Sequence, residues 1–268
     1  MKTLIYDNEC PLCVGYTALF MHSGLLEKEG RQHFNEVQPE FLELLDKNKM
    51  HNEIPLIEKE TGKVWYGIDA LLELLGQRCV MIKKIGSMPP INWLLKKVYA
   101  FISFNRKVIV AASPGNYDCS PAFSLKYRLL FLLFGLVVNS WLFNLYMPLF
   151  NKSIFPGASA DSMEGAHFIF IAVNVCTGLF LGRRKGIEFL GQVNMLAFII
   201  LLLLIPVNIF QHFIPPAYLC FLFGSLTFFV VKEYIRRMRY AGIMPQQYSV
   251  VMLNVISVSV FFLYLVSR

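Results

Sequence analysis

Five stretches in the second half of the chain are almost free of charge and close to bilayer length: Arg128–Phe150, Ala166–Gly182, Gly191–Phe210, Pro215–Val231 and Tyr248–Val266. A bilayer core takes about 20 helical residues. In hydrocarbon every backbone N–H and C=O needs an internal partner, so such stretches fold as helices and little else. The sequence therefore predicts an all-α transmembrane domain over residues 125–268, with about five spans. Basic residues cluster before the first span (Lys126, Arg128), between the second and third (Arg183-Arg184-Lys185), and between the fourth and fifth (Lys232, Arg236, Arg237, Arg239). The other two loops are nearly free of them. The positive-inside bias then predicts a cytoplasmic N-terminal side and an outer C-terminus.

Charge is distributed unevenly along the rest of the chain. Residues 1–80 carry 8 basic and 13 acidic side chains, residues 81–124 carry 6 and 1, and residues 125–268 carry 11 and 4. The excess of positive charge lies in the membrane half and its approach. Anionic headgroups account for it better than nucleic acid, which is not expected as a partner. Three regions follow: a domain over 1–80, a basic helical connector over 81–124, and the membrane domain. In the connector, Pro89-Pro90 precedes Ile91, Leu94, Leu95, Val98, Tyr99 and Ile102 at helical spacing, beside Lys96, Lys97, Arg106 and Lys107. Two readings fit: an interfacial helix drawn to acidic headgroups, or a helix packed on the first domain. Ser113-Pro114-Gly115-Asn116 marks a loop before the membrane.

The first domain reads as β-α-β-α-β-β-α. Leu4-Ile5-Tyr6 is a strand, Cys10 to His22 a helix with Pro11 in its first turn, and Gln32 to Val37 a second strand. Val14, Ala18, Leu19 and Met21 are expected on the buried face of that helix. Pro39 opens a second helix ending in a polar loop, Lys47–Asn52. Pro55–Glu58 and Val64–Tyr66 flank a Thr61-Gly62 turn, and Gly67 opens a last helix. This order is that of a minimal thioredoxin-like α/β fold.

The chemistry lies in Cys10-Pro11-Leu12-Cys13, which follows the first strand directly. A cysteine at a helix N-terminus faces unpaired N–H groups that favour its thiolate. Cys10 is thus the expected attacking thiolate, and Cys13, one turn deeper, the resolving thiol. Asp7, three residues before Cys10, is a candidate either for capping the helix or for exchanging a proton with Cys13. Pro11 and Pro55 are candidates for shaping the substrate groove, Pro55 especially if its peptide bond is cis. The competing zinc reading needs four ligands, and His22, His33 and His51 have no paired spacing. Cys79, Cys119, Cys176 and Cys220 form no disulfide framework. No secretory signal precedes the pair, so a cytosolic, catalytic CxxC is expected. Six asparagines recur in the spans (139, 144, 174, 194, 208 and 254) and read as hydrogen-bonded links between helices or as a polar site for a small molecule.

Tyr6-Asp7-Asn8-Glu9-Cys10-Pro11-Leu12-Cys13 resembles the Asp-x-x-Cys-x-x-Cys signature of the DCC-type thiol-disulfide oxidoreductases. Phe34-Asn35-Glu36-Val37-Gln38, Gly67-Ile68-Asp69-Ala70, the segment from Tyr99 to Arg106, and Cys119 extend the resemblance over roughly residues 3–120. Pro55 departs from it, and Ile54-Pro55 is closer to the cis-proline of thioredoxins and glutaredoxins. The resemblance implies a redox-active Cys10–Cys13 disulfide with no separate cofactor and no metal. Its substrates would be protein or small-molecule thiols and disulfides, and the lipid bilayer would be the other partner. The alternative is a membrane transport or assembly protein in which this domain regulates or docks. Oligomeric state is not legible.

Overall fold

Leu4 and Ile5, like Leu56 and Ile57, are adjacent apolar residues on strands, where neighbours point to opposite faces. Such a sheet needs cover on both sides. The computed structural model describes residues 2–266 other than 9, 28, 51, 112–122 and 154–156, and the chain divides into two compact units, 1–127 and 128–268.

In the first unit, β1 (Lys2–Tyr6), β2 (Arg31–His33), β3 (Pro55–Glu58) and β4 (Lys63–Tyr66) form one sheet in the order β2-β1-β3-β4. β1 runs parallel to β2 and antiparallel to β3, which runs antiparallel to β4. Gly62, at φ +68°, turns the β3–β4 hairpin. Leu4, Leu56 and Trp65 face one side, where α1 (Pro11–His22) and α4 (Gly67–Arg78) contribute Tyr16, Phe20, Ala70 and Leu74. Ile5, Ile57 and Val64 face the other, covered by Phe34, Val37, Phe41 and Leu45 from the β2–β3 connection. That connection holds a 3-10 turn (Phe34–Glu36), α2 (Pro39–Glu43) and α3 (Lys47–Met50). The arrangement is the thioredoxin-like α/β fold that the element order predicts.

Local details differ. The second strand stops at His33, because Phe34 and Val37 turn under the sheet instead of extending it. Where a polar loop was expected, Lys47–Met50 makes a helical turn. In α1 the buried residues are Cys13 and Thr17, whereas Leu19 is 63% exposed. The sheet sees the helix stripe 13-16-17-20, and Leu19 lies off it.

α5 (Val80–Gly86) and α6 (Pro89–Ile109) complete the first unit, both packing on α4. Gly86 admits the Leu72 side chain at a distance that leaves no room for a Cβ. The expected loop at Ser113–Asn116, and Cys119, lie outside the described residues.

The second unit is all-α: α7 (Leu125–Ser153, its first residues in the first unit), α8 (Ala160–Phe180), α9 (Arg183–Phe210), α10 (Pro216–Tyr240) and α11 (Tyr248–Val266). Four stretches, Leu125–Lys152, Ala160–Phe180, Arg183–Phe210 and Ala217–Tyr240, are long and apolar enough to cross a membrane. Where the fifth span was expected, α11 forms, with a shorter apolar stretch over Tyr248–Val260. Leu133, Val137, Trp141, Phe168 and Phe228 point outward and exposed, as lipid-facing residues do. Inside, asparagines join the helices. Asn139 Nδ2 donates to Asn194 Oδ1 at 2.7 Å, and Asn254 Nδ2 donates to Asn174 Oδ1 at 3.2 Å and Thr177 Oγ1 at 3.1 Å. α8 turns into α9 at Gly182 (φ +78°), and the Gly178 backbone sits where a Cβ on Gly186 would stand, so the helices meet backbone to backbone. Arg183, Arg184 and Lys185 open α9 rather than occupy a separate loop.

Candidate active site

β1 ends at Tyr6, and four residues carry the chain into α1. Cys10 is the N-cap, with extended φ −90° and ψ 105°, and its carbonyl accepts the Val14 N–H at 2.9 Å. Its own N–H points back to the Asp7 carbonyl at 3.4 Å. Pro11 follows at the first helical position, exposed, where a missing N–H leaves no gap. Cys13 lies one turn in and is buried, its carbonyl accepting from the Thr17 hydroxyl at 2.7 Å. Both cysteines are unbridged thiols.

Their environments drive them apart. The Cys10 thiol is lowered to about 6, chiefly by the hydrogen bond that Cys13 donates to it. Burial works against this, while the Cys13 backbone N–H and the Arg106 guanidinium help; the Asp7 carboxylate pushes the other way. Cys13 is pushed far above the ordinary thiol range by the bond it gives to Cys10, by burial and by the Cys10 charge, with Arg106 and Tyr16 opposing. One sulfur is ready to be a thiolate at neutral pH and the other is held protonated beside it.

α6 supplies the remaining wall. Arg106 Nη1 comes within 4.0 Å of Cys13 Sγ. Tyr99 Oη accepts the Ile54 N–H at 3.0 Å, and its phenol is pushed up to about 12, mainly by burial. Ser103 donates to the Asn52 carbonyl, tying the same helix to the segment before β3. From α1, Tyr16 reaches Cys13, and its phenol is raised by burial and by the Cys13 charge. Arg31 lies 4.1 Å from the Tyr6 ring centroid and donates to the Val14 carbonyl, bracing α1 against β1 and β2.

The structure brings Cys10 and Cys13 together and sets Asp7 beside Cys10. The N-cap of α1 is Cys10, which makes no side-chain cap hydrogen bond. Pro55 starts β3 and is buried, with a trans peptide bond to Ile54; the cis bond among the described residues is Met244–Pro245. The Ile54 backbone is already engaged on both sides, by Tyr99 Oη at its N–H and by the Gly67 N–H at its carbonyl. Because β1 and β4 both run antiparallel to β3, the ends of β1 and β4 and the start of β3 share one end of the sheet. The Cys10 turn, Pro55 and Gly67 all lie there.

Tyr16 and the roles of Tyr99 and Arg106 were not read from the sequence. The signal exists: Tyr99, Ser103 and Arg106 fall at i, i+4 and i+7, one helical face. Cys79, Cys176 and Cys220 are exposed and form no disulfide. Among the described residues no three His, Cys, Asp or Glu side chains gather as a metal site.

Residues 4–111 match the family model described as DCC1-like thiol-disulfide oxidoreductase. The match covers the sheet, α1 with both cysteines, and α6 with Tyr99 and Arg106, and bears out the resemblance carried by the opening motif. No curated protein and no solved structure matches the chain.

Proposed function

We propose that this DCC1-like domain is a thiol-disulfide exchange centre held at a membrane by the helical unit, with Cys10 as nucleophile and Cys13 as resolving thiol. The observation that carries the reading is the split between two thiols one helical turn apart, one lowered to about 6 and the other raised. The Cys10 thiolate attacks a substrate disulfide, forming a Cys10–substrate disulfide and releasing one substrate thiolate. Cys13 then loses its proton and its sulfur attacks Cys10 Sγ, closing the Cys10–Cys13 disulfide and expelling the second substrate thiolate. The pair is oxidised by two electrons and the substrate disulfide is reduced to two thiols; the reverse sequence oxidises a substrate dithiol.

The timing is built into the neighbours. Two of the influences holding Cys13 protonated are its bond to the Cys10 thiolate and the charge of that thiolate. Both vanish once Cys10 is tied up in the mixed disulfide, while Arg106 remains beside Cys13 Sγ. The resolving thiol is thereby released for attack when it is needed. Asp7, close enough to act on Cys10, is the candidate acceptor for the Cys13 proton. Pro11, exposed beside Cys10, is the groove residue of this reading, while Pro55 is buried at the start of β3.

The chain's basic residues at the starts of α7 and α9 and the end of α10 favour a cytosolic exchange centre. The test is a redox titration of the full-length protein in detergent, following Cys10 and Cys13 by alkylation and peptide mass across glutathione ratios. A reversible two-electron transition, lost in Cys13→Ser, is expected. Absence of any Cys10–Cys13 disulfide at every poise sinks the reading. Alkylation of Cys10 in sealed, right-side-out vesicles by an impermeant reagent would refute the cytosolic placement.

A further inference from the structure

α6 has its chemistry reversed relative to a helix on a soluble domain. The face turned inward carries Tyr99, Ser103 and Arg106, all engaged with the site or the segment before β3. The face turned outward carries Leu94, Val98 and Ile102 at four-residue spacing, with Trp93 beside them 63% exposed. α5 repeats the pattern, with Val80 72% exposed and Met81 and Ile85 also outward. Single exposed apolar residues are ordinary, but a run along two consecutive helices marks a surface that something covers.

We infer that the outward face of α5 and α6 lies on the surface of a bilayer with anionic headgroups. Three observations select that occupant. Lys84 and Lys97 are exposed among the apolar residues, Lys97 with its ammonium 5.7 Å from the Trp93 ring centroid, and residues 81–124 hold 6 basic against 1 acidic side chain. Apolar side chains mixed with lysines and an indole suit the interface between headgroups and acyl chains. The chain's own helix α7 begins at Leu125, and the intervening 15 residues reach at most about 50 Å when fully extended, so α6 is never far from a membrane. Because the opposite face of the same helix carries Arg106 to Cys13, seating α6 fixes the height of the thiol pair above the lipid. This contact is independent of the thiol chemistry and stands or falls separately from it.

The test uses the full chain in nanodiscs, comparing the native protein with Trp93→Phe so that the Trp93 fluorescence is obtained as a difference. In discs containing phosphatidylglycerol, that emission is expected to be blue-shifted, shielded from acrylamide, and quenched more by lipids brominated near the headgroup than near the chain ends. Lys84→Glu with Lys97→Glu is expected to restore acrylamide quenching and to reduce bromine quenching. Three results overturn the inference: acrylamide quenching undiminished by lipid, which leaves the face free in water; shielding from both quenchers, which means protein covers it, whether a second copy or another part of the chain; or equal bromine quenching in phosphatidylcholine alone, which removes the anionic headgroup.

Discussion

Around the buried sulfur of Cys13 stand a second thiol, a phenol and a guanidinium, and the result is imbalance: one proton is held tightly and another loosely. Around the buried amide of Asn254 stand Asn174, Thr177 and Tyr234, and the result is balance. Its Nδ2 donates to two oxygens, and its Oδ1 accepts the Tyr234 hydroxyl at 2.9 Å. Both units bury polar groups; around Cys13 they compete for a proton, and around Asn254 they do not. A satisfied network holds helices together, whereas a shared proton between unequal neighbours makes a reactive centre. Gln192 and Arg237 are another buried polar pair of this unit, with Arg237 Nη1 donating to Gln192 Oε1 at 2.9 Å.

The sharpest way to break this contrast is Cys10→Ser, which is expected to abolish exchange with a model disulfide while the helical unit remains folded by circular dichroism. Retained turnover would move the function to the helices. Next in size is Leu56→Ala, a wholly buried residue at the centre of the sheet. It is expected to cost about 2–5 kcal/mol and to expose Cys13 to alkylation at lower urea, since the thiol pair depends on that core. Arg106→Met should be felt at the sulfurs rather than in the fold. In the native protein, Cys10 alkylation rises with pH through the midpoint of about 6, because only the thiolate reacts. Removing the cation shifts that midpoint upward, and a shift of about one unit slows alkylation about tenfold below the native midpoint. A midpoint that does not move removes Arg106 from the site.

Asn254→Leu tests the balanced network. Intramembrane hydrogen bonds are worth about 0.6 kcal/mol each on average, so a modest loss of helical-unit stability is expected and no change in the Cys10 midpoint. Asp7→Asn is the smallest. Its carboxylate raises the Cys10 thiol, so the midpoint should fall slightly while resolution of the mixed disulfide slows. Unchanged resolution ends the proton-acceptor role.

Much of this was legible in the residues. The apolar stretches dictated helices, because unpaired backbone is intolerable in lipid; the Leu4-Ile5 and Leu56-Ile57 pairs dictated a sheet covered twice; and a cysteine beside Pro11 at a helix start pointed to a half-buried, acidified thiol. These follow from properties of neighbouring residues along the chain. Leu19 was misread because strong hydrophobicity says nothing of which stripe meets the sheet, and the isomer of Pro55 was not legible because an X-Pro bond takes it from its surroundings. Arg106, 93 residues from Cys13, was legible as a basic residue ending the segment that resembles the family, but not as a neighbour of the sulfur. The tertiary structure alone placed its guanidinium beside the sulfur and turned Leu94, Val98 and Ile102 of the same helix outward, since those placements are set by α6 packing on α4 and not by the spacing of any motif.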